Sequence, residues 1–270
     1  MNIDSVKYIG LSLSGGKSDR TYMARLDHYK GEKLVLSSLK YAPKGDKKIS
    51  ADKKLIDEIK KIKGLQLVGL DAPLQLPVCI RCRLKCPGYE ACKVTSVKNM
   101  WKIYNTSKKK KKKVFSPYTE RLAEHIINEL EGANFYSAAL GANYAPLTAR
   151  AFFLQKHFKT KLHEVYPSLT YYRLAKAFHL PKKYLNAKRL SLEGEEARLR
   201  FLKHLSEDED VFMYYQDVQH MVDHPFAFEA FLVAISLFLH KKKMTEQRPK
   251  ILPKTELWPL FPKSKVEFSV

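Results

Sequence analysis

The sequence predicts an α/β protein: a mixed sheet flanked by helices, interrupted by a cysteine-rich, lysine-rich insertion. Three observations carry that expectation. Ahead of Asp71, alternating apolar segments and one amphipathic stretch follow in the order strand, strand, strand, helix, strand. Asp71 itself stands directly after the fourth strand, and Ala72-Pro73 ends that strand at the kind of edge where open α/β sheets bind ligands. All four cysteines then fall within PVCIRCRLKCPGYEAC, residues 77–92, just past the same edge.

Taken in order, Lys7 to Leu13 and Tyr22 to Leu26 read as strands joined through SGGKSD, with Lys33 to Leu39 as a third. Ser50 to Lys63 carries Leu55, Ile59 and Ile62 on one helical face, and Ser50 suits its cap. Leu65 to Leu70 is a buried strand. Beyond an insertion at about 77–117, helices are expected over Ser116 to Leu130 and over Ala145 to Phe158, where Pro146 fits the first turn. Leu162 to Val165 is a short strand delivering Glu164 just ahead of Tyr166-Pro167. Ser168 suits the cap of a helix bearing Tyr171, Leu174 and Phe178, and Gly194 to Leu205 reads as a charged surface helix. Pro225 to His240 is an apolar helix with Glu229 inside it. The remaining RPKILPKTELWPLFPKSKVEFSV is proline-rich and extended. These segments predict a single domain over 1–248 that includes the insertion, followed by a C-terminal extension over 249–270.

An apolar fraction of 45% supports a packed core. The opening MNIDSVKYIGLSLSGG lacks a basic leader, a long apolar stretch and a cleavage site, so a cytoplasmic protein is expected. No membrane partner is expected either, because FAFEAFLVAISLFL contains Glu229 and falls short of the roughly 20 residues of a span. Charge points to polyanions: 49 basic against 28 acidic residues leave +21, with a pI near 9.7. Charge alone fits DNA, RNA, an acidic protein or a phosphorylated small molecule; nucleic acid is the expected partner, DNA or RNA undetermined. The run SKKKKKKVF, which includes Lys110, supplies only a minority of the excess and reads either as a phosphate grip or as a solvated loop. In SGGKSD, Lys17 beside two glycines suits either a phosphate cradle or an ordinary turn, without the spacing of a P-loop.

The cysteines are spaced Cys79-x2-Cys82-x3-Cys86-x5-Cys92. In a reducing compartment such a group favours metal over bridges, and a C-x2-C turn can point two thiolates at one ion. The irregular second arm leaves zinc, an iron-sulfur cluster, and unligated or bridged thiols as alternatives. Arg81, Arg83, Lys85 and Lys93 would offset four thiolates. A bound ion would clamp an insertion expected to have no core of its own.

IGLSLSGG, VGLDAPLQLP, the cysteine segment, PYTER, ALGANYAPLTAR, HEVYPSL and HPFAFEAFLVAIS, in this order, carry a resemblance that spans nearly the whole chain. By these motifs the chain resembles the DUF429 proteins, predicted nucleases of the ribonuclease H-like superfamily. The resemblance implies a mixed sheet with helices on both faces and carboxylates at one edge. It also implies two divalent ions, magnesium or manganese, about 4 Å apart and held by acids from separated strands and the last helix. Asp71, Glu164, Glu229 and Asp223 are then the candidate catalytic acids. Each has a plainer alternative, such as Asp71 capping its loop or Glu229 pairing inward. The first strand departs from the superfamily's G-x-D pattern, reading Gly10-Leu11-Ser12, and a neutral serine is a poor metal ligand.

The implied function is a metal-dependent nuclease. A non-catalytic nucleic-acid-binding protein on the same scaffold is the alternative, and a small-molecule phosphotransferase a lesser one. Lys17, Arg81, Arg83, Lys110, Arg121 and Arg150 are the candidate phosphate contacts, with Arg121 and Arg150 equally suited to internal ion pairs.

Overall fold

A computed structural model of the protein describes residues 5–15, 20–29, 33–106, 114–132, 135, 138–142, 144–158, 160–207, 211–266 and 268. Its elements are β1 (Ser5–Ser12), β2 (Tyr22–Tyr29), β3 (Leu34–Tyr41), α1 (Ala51–Lys60), β4 (Leu65–Leu70), α2 (Val78–Arg81), α3 (Thr95–Thr106), α4 (Leu122–Glu131) and α5 (Ala145–His157). They continue as β5 (Leu162–Glu164), α6 (Pro167–Ala177), α7 (Lys182–Leu185), α8 (Leu192–Glu207), β6 (Val211–Phe212), α9 (Tyr215–Asp223) and α10 (Pro225–Lys241).

The strands form one mixed sheet in the order β5-β4-β1-β2-β3-β6. β2 lies antiparallel between β1 and β3, while β4 runs parallel to β1 and β5 parallel to β4. Strand alternation divides the chain's apolar residues between two faces. Tyr8, Tyr22, Ala24 and Leu26 belong to one core with Phe231, Phe238 and the rest of α10, which α6, α8 and α9 help to enclose. Ile9, Leu11, Leu13 and Met23 belong to the other, with Leu55, Ile56 and Ile59 of α1 and Ala151 and Leu154 of α5. Helices therefore cover both faces.

The tightest contact in this packing lies at Gly10. A Cβ there would sit 2.1 Å from the Ala230 carbonyl oxygen and 2.5 Å from the Ala234 nitrogen. Only a residue without a side chain lets α10 lie flat on β1, and this approach sets where Glu229 meets the sheet edge.

Local signals explain most boundaries. Ser50 Oγ accepts from Lys53 N at 3.2 Å and starts α1. Proline occupies the first turn of α5, α6 and α10. Other boundaries shift. The helix expected from Ser116 begins at Leu122, because Thr119 N and Glu120 N turn back onto the Ser116 carbonyl and Arg121 is extended. Pro167, not Ser168, opens α6. α8 buries Ala197, Arg198, Phe201, Leu202 and Leu205 along one side and exposes Glu193, Arg200 and Lys203 on the other, as a surface helix does. The predicted elements did not include α2, α3, α7, α9 or β6.

The insertion and the C-terminal extension both pack against the sheet domain. Val97, Met100 and Phe115 of the insertion pack with Leu122, Ala123 and Ile126 of α4 and with Leu252, with Cys79, Cys92 and Trp101 against them, so the insertion shares its core with the rest of the chain. Leu252, Leu260 and Phe261 of the extension are buried. Leu260 pairs with Val165 beside β5, donating its N–H to the Glu164 carbonyl at 2.8 Å. Among the described residues no single helix is long and apolar enough to cross a membrane.

Candidate active site

Because β1, β4 and β5 are parallel, Ser12, Asp71 and Glu164 arrive at one edge of the sheet. Seated on Gly10, α10 brings Glu229 to the same place. The Ser12 hydroxyl, fully buried, donates to Asp71 Oδ2 at 2.7 Å and lies 3.3 Å from Glu229 Oε2. The second oxygen of Asp71 accepts from Leu13 N at 2.8 Å. Two carboxylates from opposite ends of the chain thus converge on one hydroxyl.

Burial acts against both charges. It pushes Asp71 up to about 6, opposed by the Leu13 N–H, the Ser12 hydroxyl and the Arg189 guanidinium. Glu229 is pushed up to about 7 by burial, opposed first by Arg189, and the Asp71 charge raises it further. Arg189 Nη2 donates to Glu229 Oε2 at 2.7 Å while its guanidinium lies 4.0 Å above the Phe226 ring. A hydroxyl shared by two acids that titrate near neutrality can pass a proton between them. The same pair presents oxygens to a cation.

Glu164 reaches this edge but not this group. Arg121 Nη1 and Nη2 donate to its two oxygens at 2.8 and 2.6 Å, and Leu74 N donates at 2.8 Å. Arg121 also donates to Glu124 Oε1 at 2.8 Å, and all three side chains are buried. Arg121 is therefore an internal ion-pair residue and not an accessible phosphate contact. Arg150 is likewise engaged inside, with Asp52, Thr21 and the Ser14 carbonyl. Asp223 is exposed at the end of α9, where it accepts from Gln219, and is not brought to the Asp71–Glu229 pair.

Comparison with protein-family models, with curated proteins and with solved structures finds no match. The site must accordingly be read from its own chemistry.

The cysteine segment lies past β4, as expected, with Cys82 and Cys86 exposed and Cys79 and Cys92 half-buried, all free. Burial pushes the Cys79 thiol up to about 11, with Cys92, Cys86 and Cys82 adding to it. Yet among the described residues no group of three or more histidine, cysteine or acidic side chains is placed to hold a metal ion. Arg81 and Arg83 are exposed in this insertion, Arg81 donating to the Leu76 carbonyl, while Lys17 and Lys110 lie outside the described residues.

Two cavities meet at the acids. One of about 30 Å³ runs between Asp71 and Glu164, and one of about 360 Å³ opens beside Glu229; Phe135 and Ser168 wall both. Sequence reasoning missed Arg189 and Arg198, which line the larger cavity. Nothing in NAKRLSLEGEEARLR distinguishes these two from its other charged residues.

Proposed function

We propose that the protein is a cytoplasmic, metal-dependent nuclease of the ribonuclease H-like type, hydrolysing phosphodiester bonds of nucleic acid. One observation carries the reading: Asp71 at a strand end and Glu229 on the terminal helix meet at Ser12, on one edge of a mixed sheet. These are two of the four acids that the resemblance to DUF429 proteins implies, without Glu164 and Asp223. The charge of +21 supports a polyanionic substrate.

Two carboxylates here offer oxygens to one magnesium or manganese ion. Asp71 and Glu229, both half-buried, would hold it, and such an ion would stabilise the ionised form that burial disfavours in each. A second ion lacks ligands, because Ser12 is neutral and Glu164 is committed to Arg121. When bound, the ion would supply Lewis acidity toward phosphate oxygens and would ease loss of a proton from the water that attacks phosphorus. The chain's own residues do the rest. Leu13 N–H and Ser12 orient Asp71. Glu229, titrating near neutrality, can release its proton as the site loads. Arg189, freed from Glu229, can turn to the phosphate whose P–O ester bond breaks as the bond to water forms.

A second reading is favoured by Arg189 itself. Its guanidinium already neutralises Glu229, as a site that binds nucleic acid without cutting it would require. Cleavage of single-stranded, double-stranded and hybrid oligonucleotides in manganese or magnesium, with Asp71→Asn alongside, separates the two. Metal-dependent cutting lost in the variant supports the nuclease. Salt-sensitive binding without cutting by the wild type supports the second reading.

A further inference from the structure

The cavity beside Glu229, about 360 Å³, is walled differently on its two sides. Leu185, Phe228 and Leu232 make one side apolar. The other side carries Arg198 of α8, only 5% exposed. Arg198 Nε donates to the Val222 carbonyl at 2.8 Å, Nη2 to the same oxygen, and Nη1 to the Arg189 carbonyl at 2.8 Å. These partners are all backbone carbonyls, while the Glu195 and Glu229 carboxylates act on the buried guanidinium through space and offset its charge in part. A guanidinium carries five N–H donors, and three bonds leave some for a ligand. Burial of such a charge is strongly unfavourable unless an anion answers it. Arg189 brings a second, half-exposed cation to the same cavity.

The size narrows the ligand. A cavity of about 360 Å³ lies at the small end of the range for organic ligands, roughly 300–1,000 Å³, and cannot admit a stacked duplex. One apolar wall, two guanidinium groups and the adjoining acids together suit a flat apolar ring attached to a phosphate.

We infer that this cavity receives a single unstacked nucleotide of the substrate strand, its base against Phe228 and Leu232 and its phosphate turned toward Arg198 and Arg189 beside Glu229. The identity of the ligand as part of a strand rests on the nuclease reading; binding in the cavity does not. Extrusion from a stack is easiest for single-stranded nucleic acid, so the site would select it over duplex.

The test is calorimetric titration of the protein with nucleoside monophosphates, the matching nucleosides and inorganic phosphate, in chelator and again with Asp71→Asn. Neither condition permits metal-dependent cutting, so binding is read apart from cleavage. A nucleoside monophosphate should bind at least tenfold more tightly than either its nucleoside or phosphate alone. Arg198→Met should remove that preference. Because Arg198 is buried and its loss can disturb folding, Ala187→Trp, at a half-buried cavity residue outside the helices, serves as the second variant. It should weaken monophosphate binding at least tenfold with the thermal midpoint preserved. Equal affinity for nucleoside and monophosphate, or unchanged binding by a folded Ala187→Trp protein, overturns the inference. Binding as expected with no cleavage of any oligonucleotide leaves the cavity assignment standing and removes the nuclease.

Discussion

The Ser12 hydroxyl donates to Asp71 at 2.7 Å across a sequence separation of 59 residues. That one proton cannot also satisfy Glu229, 3.3 Å from the same oxygen. With Glu229 titrating near 7, its protonated carboxyl can instead donate to Ser12, completing a chain from Glu229 through Ser12 to Asp71. Ser12→Asp inserts a third carboxylate into this chain. Without divalent ions the variant should lose about 2–4 kcal/mol at pH 8 from crowded buried charge. Manganese should restore much of that loss, giving a larger rise in thermal midpoint than in the wild type. An equal rise in both proteins would show that the site does not take the ion.

The two raised acids give stability a definite pH dependence. In the folded protein Asp71 and Glu229 hold protons up to about 6 and about 7, whereas an unfolded carboxylate releases its proton near pH 4. The folded state binds more protons through that window, so stability is greatest below it and falls as pH rises through 6 and 7. Glu229→Gln removes one of these groups. Its unfolding free energy should therefore decline less steeply between about pH 5 and pH 8, by roughly 2 kcal/mol over the interval. Parallel urea midpoints across this range for both proteins would count against a protonated Glu229.

Gly10→Ala tests the seat of α10. The added methyl meets backbone atoms of Ala230 and Ala234, which cannot rotate away. Destabilisation of about 3 kcal/mol or more in urea is expected. Any activity should fall further than stability does, because Glu229 would shift away from Ser12. A nearly neutral substitution would mean that α10 has freedom the packing denies it.

Arg121 and Glu164 separate structural acids from reactive ones. Arg121→Ala strands two buried carboxylates, Glu164 and Glu124, and should cost about 3–5 kcal/mol. Glu164→Gln keeps an acceptor for the Leu74 N–H and should be milder. If Glu164 only braces the edge, cleavage per folded molecule in Glu164→Gln stays near wild type. A hundredfold loss with an unchanged urea midpoint would instead make Glu164 part of the reaction.

Legibility followed the reach of each interaction. β4 was readable to its boundaries, because a short apolar run closed by Asp71-Ala72-Pro73 is a local signal. Asp71 at a strand end and Glu229 in an apolar helix were visible for the same reason. The pattern of Val97, Met100, Trp101 and Tyr104 also has helical spacing, but α3 was absorbed into the basic, cysteine-rich insertion around it. β6, two residues long, offers no periodicity at all. The partners that decide roles were invisible: Arg121 lies 43 residues from Glu164, and Arg189 lies 40 from Glu229. No spacing rule connects such pairs, and only the fold does.

The bed for α10 is built early in the chain and its occupant comes late: Glu229 follows Ser12 by 217 residues. During synthesis, β1 and β2 leave the ribosome with Tyr8, Tyr22, Ala24 and Leu26 bare on the face that α10 later covers. That apolar face, in a strongly basic nascent chain among the polyanions of a translating cell, has no cover until Pro225–Lys241 has emerged. Ribosome-bound chains stalled ahead of Pro225 should therefore depend on chaperones that shield apolar surface, and chains extended past Lys241 should not.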